Sequence, residues 1–144
     1  MNETKNPGFS AEEKAAMKER AKELRAEARA GAKRADSEKA VLDTIAALPE
    51  ADRLIAAKIH EVATEIAPEL LPKLMYGMPS YARDKDVLFF FQAASKFSTR
   101  YSTFGFNDGA KLDDGPMWPT GFGIGELTPE VEQRIRELIT RAVG

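Results

Sequence analysis

Apolar residues recur at helical spacing in three stretches of the chain and alternate at strand spacing in three others. Val41, Leu42, Ile45 and Leu48 mark the first helix, which is predicted to start at a cap on Asp36 or Ser37. Pro49 breaks it and opens a second helix, because proline is tolerated in a first turn. Ile55, Ile59, Val62 and Ile66 form the stripe of that helix, and Pro68 ends it. Val131, Ile135, Leu138 and Ala142 form the third stripe, behind Thr128 as N-cap and Pro129 at the first helical position. Between these helices, residues 87–94 place Val87, Phe89 and Phe91 on one face and Leu88 and Phe90 on the other. A strand apolar on both faces is central and covered twice, or lies at an interface. Residues 98–106 read as a second strand, rich in aromatics and threonines. Residues 117–125 read as a third, placed at an edge by Pro119. Trp118, Phe122 and Ile124 share one face there, and glycines leave the other nearly bare. The proline-rich stretch 68–81 predicts a turn entering irregular or extended structure.

Residues 10–30 differ in kind. They are almost all strong helix formers, with a capping-box pair in Ser10 and Glu13 and Gly31 as the expected C′ residue. Their apolar stripe, Met17, Ala21, Leu24 and Ala28, is thin. A helix this polar is expected to stand in solvent. The organisation predicted is a charged helical extension over residues 1–36 and one α+β domain over 37–144.

Composition narrows the chemistry. The 144 residues suffice for one domain with its own core. There is no cysteine, which removes disulfides, thiolate nucleophiles, cysteine-type zinc sites and iron–sulfur ligation together. No apolar run approaches the ~18 residues of a membrane span, and residues 1–20 lack the apolar core of a secretory signal. The net charge of −2 gives no reason to expect a nucleic-acid partner. The expected setting is cytoplasmic, with neither membrane nor nucleic acid as partner.

His60, the only histidine, lies off the apolar stripe of its helix and is expected at the surface. One histidine cannot build a multi-histidine metal site. Neither a G-x-S-x-G elbow, a phosphate-binding loop nor a dinucleotide fingerprint is present. Glu61 with Glu65, Asp84 with Asp86, and Asp108 with Asp113 and Asp114 are oxygen clusters of the kind hard cations take. The same residues equally make a solvated helix face and ordinary turns. Tyr76, Met78, Tyr81, Phe91 and Trp118 are the candidate ligand-binding residues, against the alternative that they are core. Tyr76, Met78, Tyr81 and Trp118 are expected to enclose one apolar site.

The run Leu48-Pro49, the isoleucine helix, Ala67-Pro68 and then Tyr76-Gly77-Met78-Pro79-Ser80-Tyr81 resembles the YdhG-like family of small bacterial proteins. The strand Phe89-Phe90-Phe91-Gln92-Ala93-Ala94-Ser95-Lys96 and the closing helix, residues 127–142, look like the family's later blocks. The resemblance covers about residues 40–144, and its most specific element is YGMPSY. It implies helices on an antiparallel sheet. Some members are described as frataxin-like intracellular iron chaperones, so it also implies iron. Where members often carry a lysine–histidine step, this chain has Lys96-Phe97. The function expected is non-enzymatic binding of a small ligand or metal. The alternative is an interaction module, in which the VLFFF strand and the N-terminal helix serve self-association, as in a homodimer, or a protein partner. An acid–base enzyme built from tyrosine and carboxylates ranks last. Any iron binding is expected to be weak and carboxylate-based. Anaerobic calorimetric titration with ferrous iron checks this, and sub-micromolar affinity abolished by His60→Ala contradicts it.

Overall fold

Aromatic residues at alternate positions of neighbouring strands organise the sheet. In the computed structural model, residues 10–30 and 34–144 are described, with the backbone alone for 27–30. The chain runs α1 (Ala11–Ala30), α2 (Arg34–Ala46), α3 (Glu50–Ile66), β1 (Leu71–Met75), β2 (Met78–Arg83) and β3 (Asp86–Gln92). A single turn, α4 (Ala94–Phe97), leads to β4 (Ser102–Phe106), β5 (Gly121–Ile124) and α5 (Pro129–Val143). The five strands pair antiparallel in chain order, β1-β2-β3-β4-β5. The fold is α+β, with helices packed against an antiparallel sheet.

Register puts Tyr81 opposite Phe89, Phe89 opposite Phe106, and Phe91 opposite Phe104, so these rings share one face. Tyr81 stacks on Phe89 with centroids 5.1 Å apart, and Phe104 meets Phe89 edge-on at 5.8 Å. Val41 and Ile45 of α2, Ile55, Ile59 and Val62 of α3, and Ile135 and Ile139 of α5 complete that core. The opposite face is thinner. Phe90 lies across Gly105 and the Tyr101 ring covers Gly123, so one glycine of β4 and one of β5 on this face are roofed by aromatics. Gly121 and Gly125 stay open.

Several expectations need correction. Of the two readings of 68–81, extended structure holds: the stretch contains β1, a two-residue turn at Tyr76-Gly77 and the start of β2. Both turn residues have positive φ, 53° and 77°, as a type I′ hairpin requires. The sequence signal was muted because tyrosine stands where asparagine or aspartate usually does. The strand expected over 98–106 is shorter, since α4 and its connection occupy residues 94–101. Trp118 and Pro119 precede β5 instead of starting it. The VLFFF strand is central, flanked by β2 and β4, and so offers no free edge for pairing.

The start of α2 also moves. It begins at Arg34, inside the segment assigned to the extension. The Arg34 guanidinium donates to the carbonyls of Pro68 and Leu70 at 2.6 and 2.7 Å, and the Ser37 hydroxyl donates to that of Pro72 at 2.7 Å. Asp36 and Ser37 are therefore not the N-cap. These side chains take up carbonyls along the outer edge of β1, where Pro72 has no N–H to offer, and blunt it against pairing with another chain.

Two helix N-termini follow their sequence signals. Ser10 and Glu13 form the reciprocal capping box, at 2.7 and 3.0 Å. The Thr128 hydroxyl accepts from the Val131 N–H at 3.2 Å. Gly31, expected as a C′ residue, lies outside the described residues. Among the described residues no helix is long and apolar enough to cross a membrane.

Phe89 is fully buried and meets three other rings. Phe89→Ala is expected to destabilise the fold by about 3–5 kcal/mol, the usual cost of removing a buried ring. Urea unfolding of the variant beside the wild-type chain measures it.

Candidate functional site

Helix α3 buries two adjacent rows: Ile55, Ile59 and Val62, and beside them Asp52, Ala56, His60 and Ala63. The second row carries polar groups into the interior. His60 is thus buried, not solvated as its offset from the apolar stripe implied. Ala56 and Ala63, small residues four before it and three after, let neighbouring elements close over that row. They are the signal that was available in the sequence.

A buried carboxylate needs donors, and Asp52 has three. Its Oδ2 accepts from the Ser95 N–H at 3.0 Å and from the Ser95 hydroxyl, and its Oδ1 accepts from the Ser102 hydroxyl at 2.9 Å. Burial alone would raise the pKa of this group. The hydrogen bonds from Ser95 and Ser102 outweigh it and hold the carboxyl below its ordinary range. Ser102 in turn accepts from the Ala94 N–H at 2.9 Å. Asp52 therefore caps α4, whose own N-cap residue, Ala93, has no side-chain oxygen to offer.

The second buried group is a relay. The Tyr81 hydroxyl lies 2.9 Å from His60 Nδ1, and Nε2 lies 3.1 Å from a Glu38 carboxylate oxygen. An ionised Glu38 can only accept, so Nε2 carries the proton, and a neutral ring takes the Tyr81 O–H at Nδ1. Burial pushes the Tyr81 phenol well above its usual pKa, and the Glu38 charge adds to the shift. Tyr81 therefore keeps its proton throughout the physiological range. Its ring is enclosed by the core, so the relay satisfies a buried hydroxyl and offers solvent no reactive oxygen.

The third constellation sits at the β1–β2 turn. The N–H groups of Tyr76 and Gly77 both point at the Glu23 carboxylate of α1, at 2.9 Å to Oε1 and 2.6 Å to Oε2. Glu23 is only 8% exposed. Lys96 reaches over from α4 and donates to the Gly77 carbonyl at 3.1 Å. Gly77 is needed twice: its φ of 77° favours glycine, and a β-carbon there would run into the Lys96 side chain. Arg20 stands 5.6 Å over the Tyr76 ring and 3.6 Å from the Glu23 carboxylate. Helix α1 is thus docked on the domain, contrary to the solvated extension its thin stripe implied. No local pattern marks Glu23 among the other glutamates of α1.

The expected apolar site is not assembled. Tyr76 is exposed at the turn, and Met78 is half-buried as the first residue of β2. Tyr81 and Phe91 are fully buried in the core. Trp118 packs against the core just before β5. The register puts that point at the opposite edge of the sheet and at its opposite end from Tyr76. A meander separates β2 from β5 by two intervening strands, which side chains at these corners cannot span. A shallow groove of about 500 Å³ lies between the α2–α3 connection and α4, lined by Asp43, Thr44, Leu48, Pro49, Ser95 and Lys96.

Among the described residues, no three histidine, cysteine, aspartate or glutamate side chains group to hold a metal ion. Glu61 pairs with Lys58 at 3.2 Å and Glu65 with Arg136 at 2.8 Å, so the carboxylates on the exposed face of α3 are already matched by cations. Among the described residues, the donor set does not fit the iron that the resemblance implies. Comparison with known proteins finds no matching family model, no matching curated protein and no matching solved structure.

Asp52→Asn keeps the shape but loses the charge that three donors face. A cost of about 1.5–3 kcal/mol is expected, on the scale of hydrogen bonds to charged groups. Because the folded-state pKa is lowered, the stabilisation is complete above the ordinary aspartate value of about 3.9 and is lost as pH falls through the folded-state value. The stability gap between wild type and variant should therefore be constant near neutrality and close below about pH 4. Urea melts across that range measure both.

Proposed function

We propose that this chain is a non-enzymatic binding domain that receives a small anionic ligand at the Tyr76-Gly77 turn, beside Lys96. One observation carries the reading: two successive backbone N–H groups converge on a single carboxylate, at 2.9 and 2.6 Å. Adjacent N–H groups presented by a turn with positive φ form an anion-binding concavity. Their direction is set by the hairpin, so no ordering is required when an anion arrives. Lys96 adds a positive charge at the same place and is held there by the Asp52 clamp on α4.

Binding is favoured over catalysis because the other two constellations are internally satisfied. Asp52 is saturated by serines, and His60 is bonded at both nitrogens. Neither is left with a free base beside an accessible nucleophile. Of the candidate residues, Tyr76 lines the proposed site and Met78 adjoins it.

Titration of the full chain with sodium acetate and with inorganic phosphate, followed through the amide resonances of Tyr76 and Gly77, tests the reading. Saturable shifts at these two amides are expected, absent with matched sodium chloride. Lys96→Gln should weaken them by about fivefold, a loss near 1 kcal/mol for one partly exposed charge. Absence of saturable shifts both in the wild-type chain and in Glu23→Ala would overturn it.

A further inference from the structure

We infer that α1 is a displaceable plug, with Glu23 an internal copy of the ligand, and that the ligand is a small molecule bearing a carboxylate whose binding releases the helix. The inference rests on the anion-binding reading of the Tyr76-Gly77 turn and adds the chemical class of the ligand and the regulation of its site.

The chemical class follows from how Glu23 sits. Each of its two oxygens takes one N–H, Oε1 from Tyr76 and Oε2 from Gly77. A planar group with two equivalent oxygens on one carbon matches two neighbouring donors that reach one oxygen each. A carboxylate from solution presents the same pair of oxygens to the same donors, and it can do so only after Glu23 has left.

The ease of leaving follows from how α1 is held. Met17 and Leu24, the larger apolar residues of its stripe, remain 46% and 49% exposed. Little apolar area is lost to water when the helix departs, so its docking rests on the Glu23 contact more than on burial. That contact is also imperfect. Arg20 Nη1 is buried beside the carboxylate but meets it only as an ion pair at 3.6 Å, too far for a hydrogen bond. A buried donor left unsatisfied favours the undocked state, in which water solvates it. The parts of the site that remain after undocking, the two N–H groups and Lys96, belong to the β1–β2 turn and to α4 and are held by the sheet and by Asp52. Docking and ligand binding therefore compete for one pair of donors, and the helix lowers the apparent affinity by the fraction of molecules it closes.

Glu23→Gln is the direct test. An amide offers one acceptor where two N–H groups need two, and it turns its own N–H₂ toward the second. Amide hydrogen exchange of residues 17–26 in the variant is expected to rise by about tenfold, while exchange in β3 stays at its wild-type rate and shows that the fold is intact. Acetate should bind the variant about tenfold more tightly than the wild-type chain, read at the Tyr76 and Gly77 amides. In the wild-type chain, exchange in α1 should rise in step with acetate occupancy, and inorganic phosphate should be the weaker competitor. Acetate binding of equal strength to both proteins, with α1 exchange unmoved, overturns the plug and leaves the anion site standing. Absence of acetate binding to either protein overturns the site and the plug together.

Discussion

Phe89 has no surface left to water, and its ring is shared between Tyr81, Phe104 and Phe106. Rings on a sheet face are enclosed only if neighbouring strands bring their own rings into register and helices close over the top. The antiparallel meander meets the first demand. Helices α2, α3 and α5 meet the second, with Ile59, Ile135 and Ile139 fully buried in the same cluster. To close the layer, α3 faces inward with two rows of side chains, and the second row carries Asp52 and His60. Polar groups in that position must find partners or cost several kcal/mol each.

The partners they find shape the rest of the molecule. His60 and Tyr81 settle one another, and Glu38 of α2 closes the relay at its outer end. Asp52 gathers Ser95 and Ser102, which ties the connection between β3 and β4 to the start of α3. That tie fixes α4, and α4 delivers Lys96 to the β1–β2 turn. The candidate site therefore owes its geometry to apolar burial elsewhere, through one charged side chain that burial left without water.

Two kinds of attachment coexist at this end of the sheet. The turn itself is rigid by construction: its two positive φ values and the Met75–Met78 pair define it. A tyrosine in the left-handed region costs on the order of 1 kcal/mol, which the hairpin register absorbs. Helix α1, by contrast, is joined to the domain through charged and polar contacts with its larger apolar residues still half in water. Elements held in this way sit at the low end of the local stability range, where functional motion is drawn from.

The amino-acid pattern alone determined the four longer helices and three of the five strands. The spacing of Ile55, Ile59 and Val62, the stripe from Val131 to Ala142, the caps at Ser10 and Thr128, and the two-sided apolar run at Phe89 are local signals, and local physics reads them. It also determined the absence of cysteine chemistry. Tertiary structure alone decided which side chains meet. Tyr76 and Trp118 look alike in sequence as aromatics near prolines, yet strand order sends them to opposite corners. Glu23 and Gly77 are 54 positions apart, Asp52 and Ser102 are 50, and His60 and Tyr81 are 21. No periodicity within a segment encodes such pairings. They arise because burying the apolar face forces particular polar residues inside, and the partners within reach there are set by how helices and strands pack, not by their order along the chain.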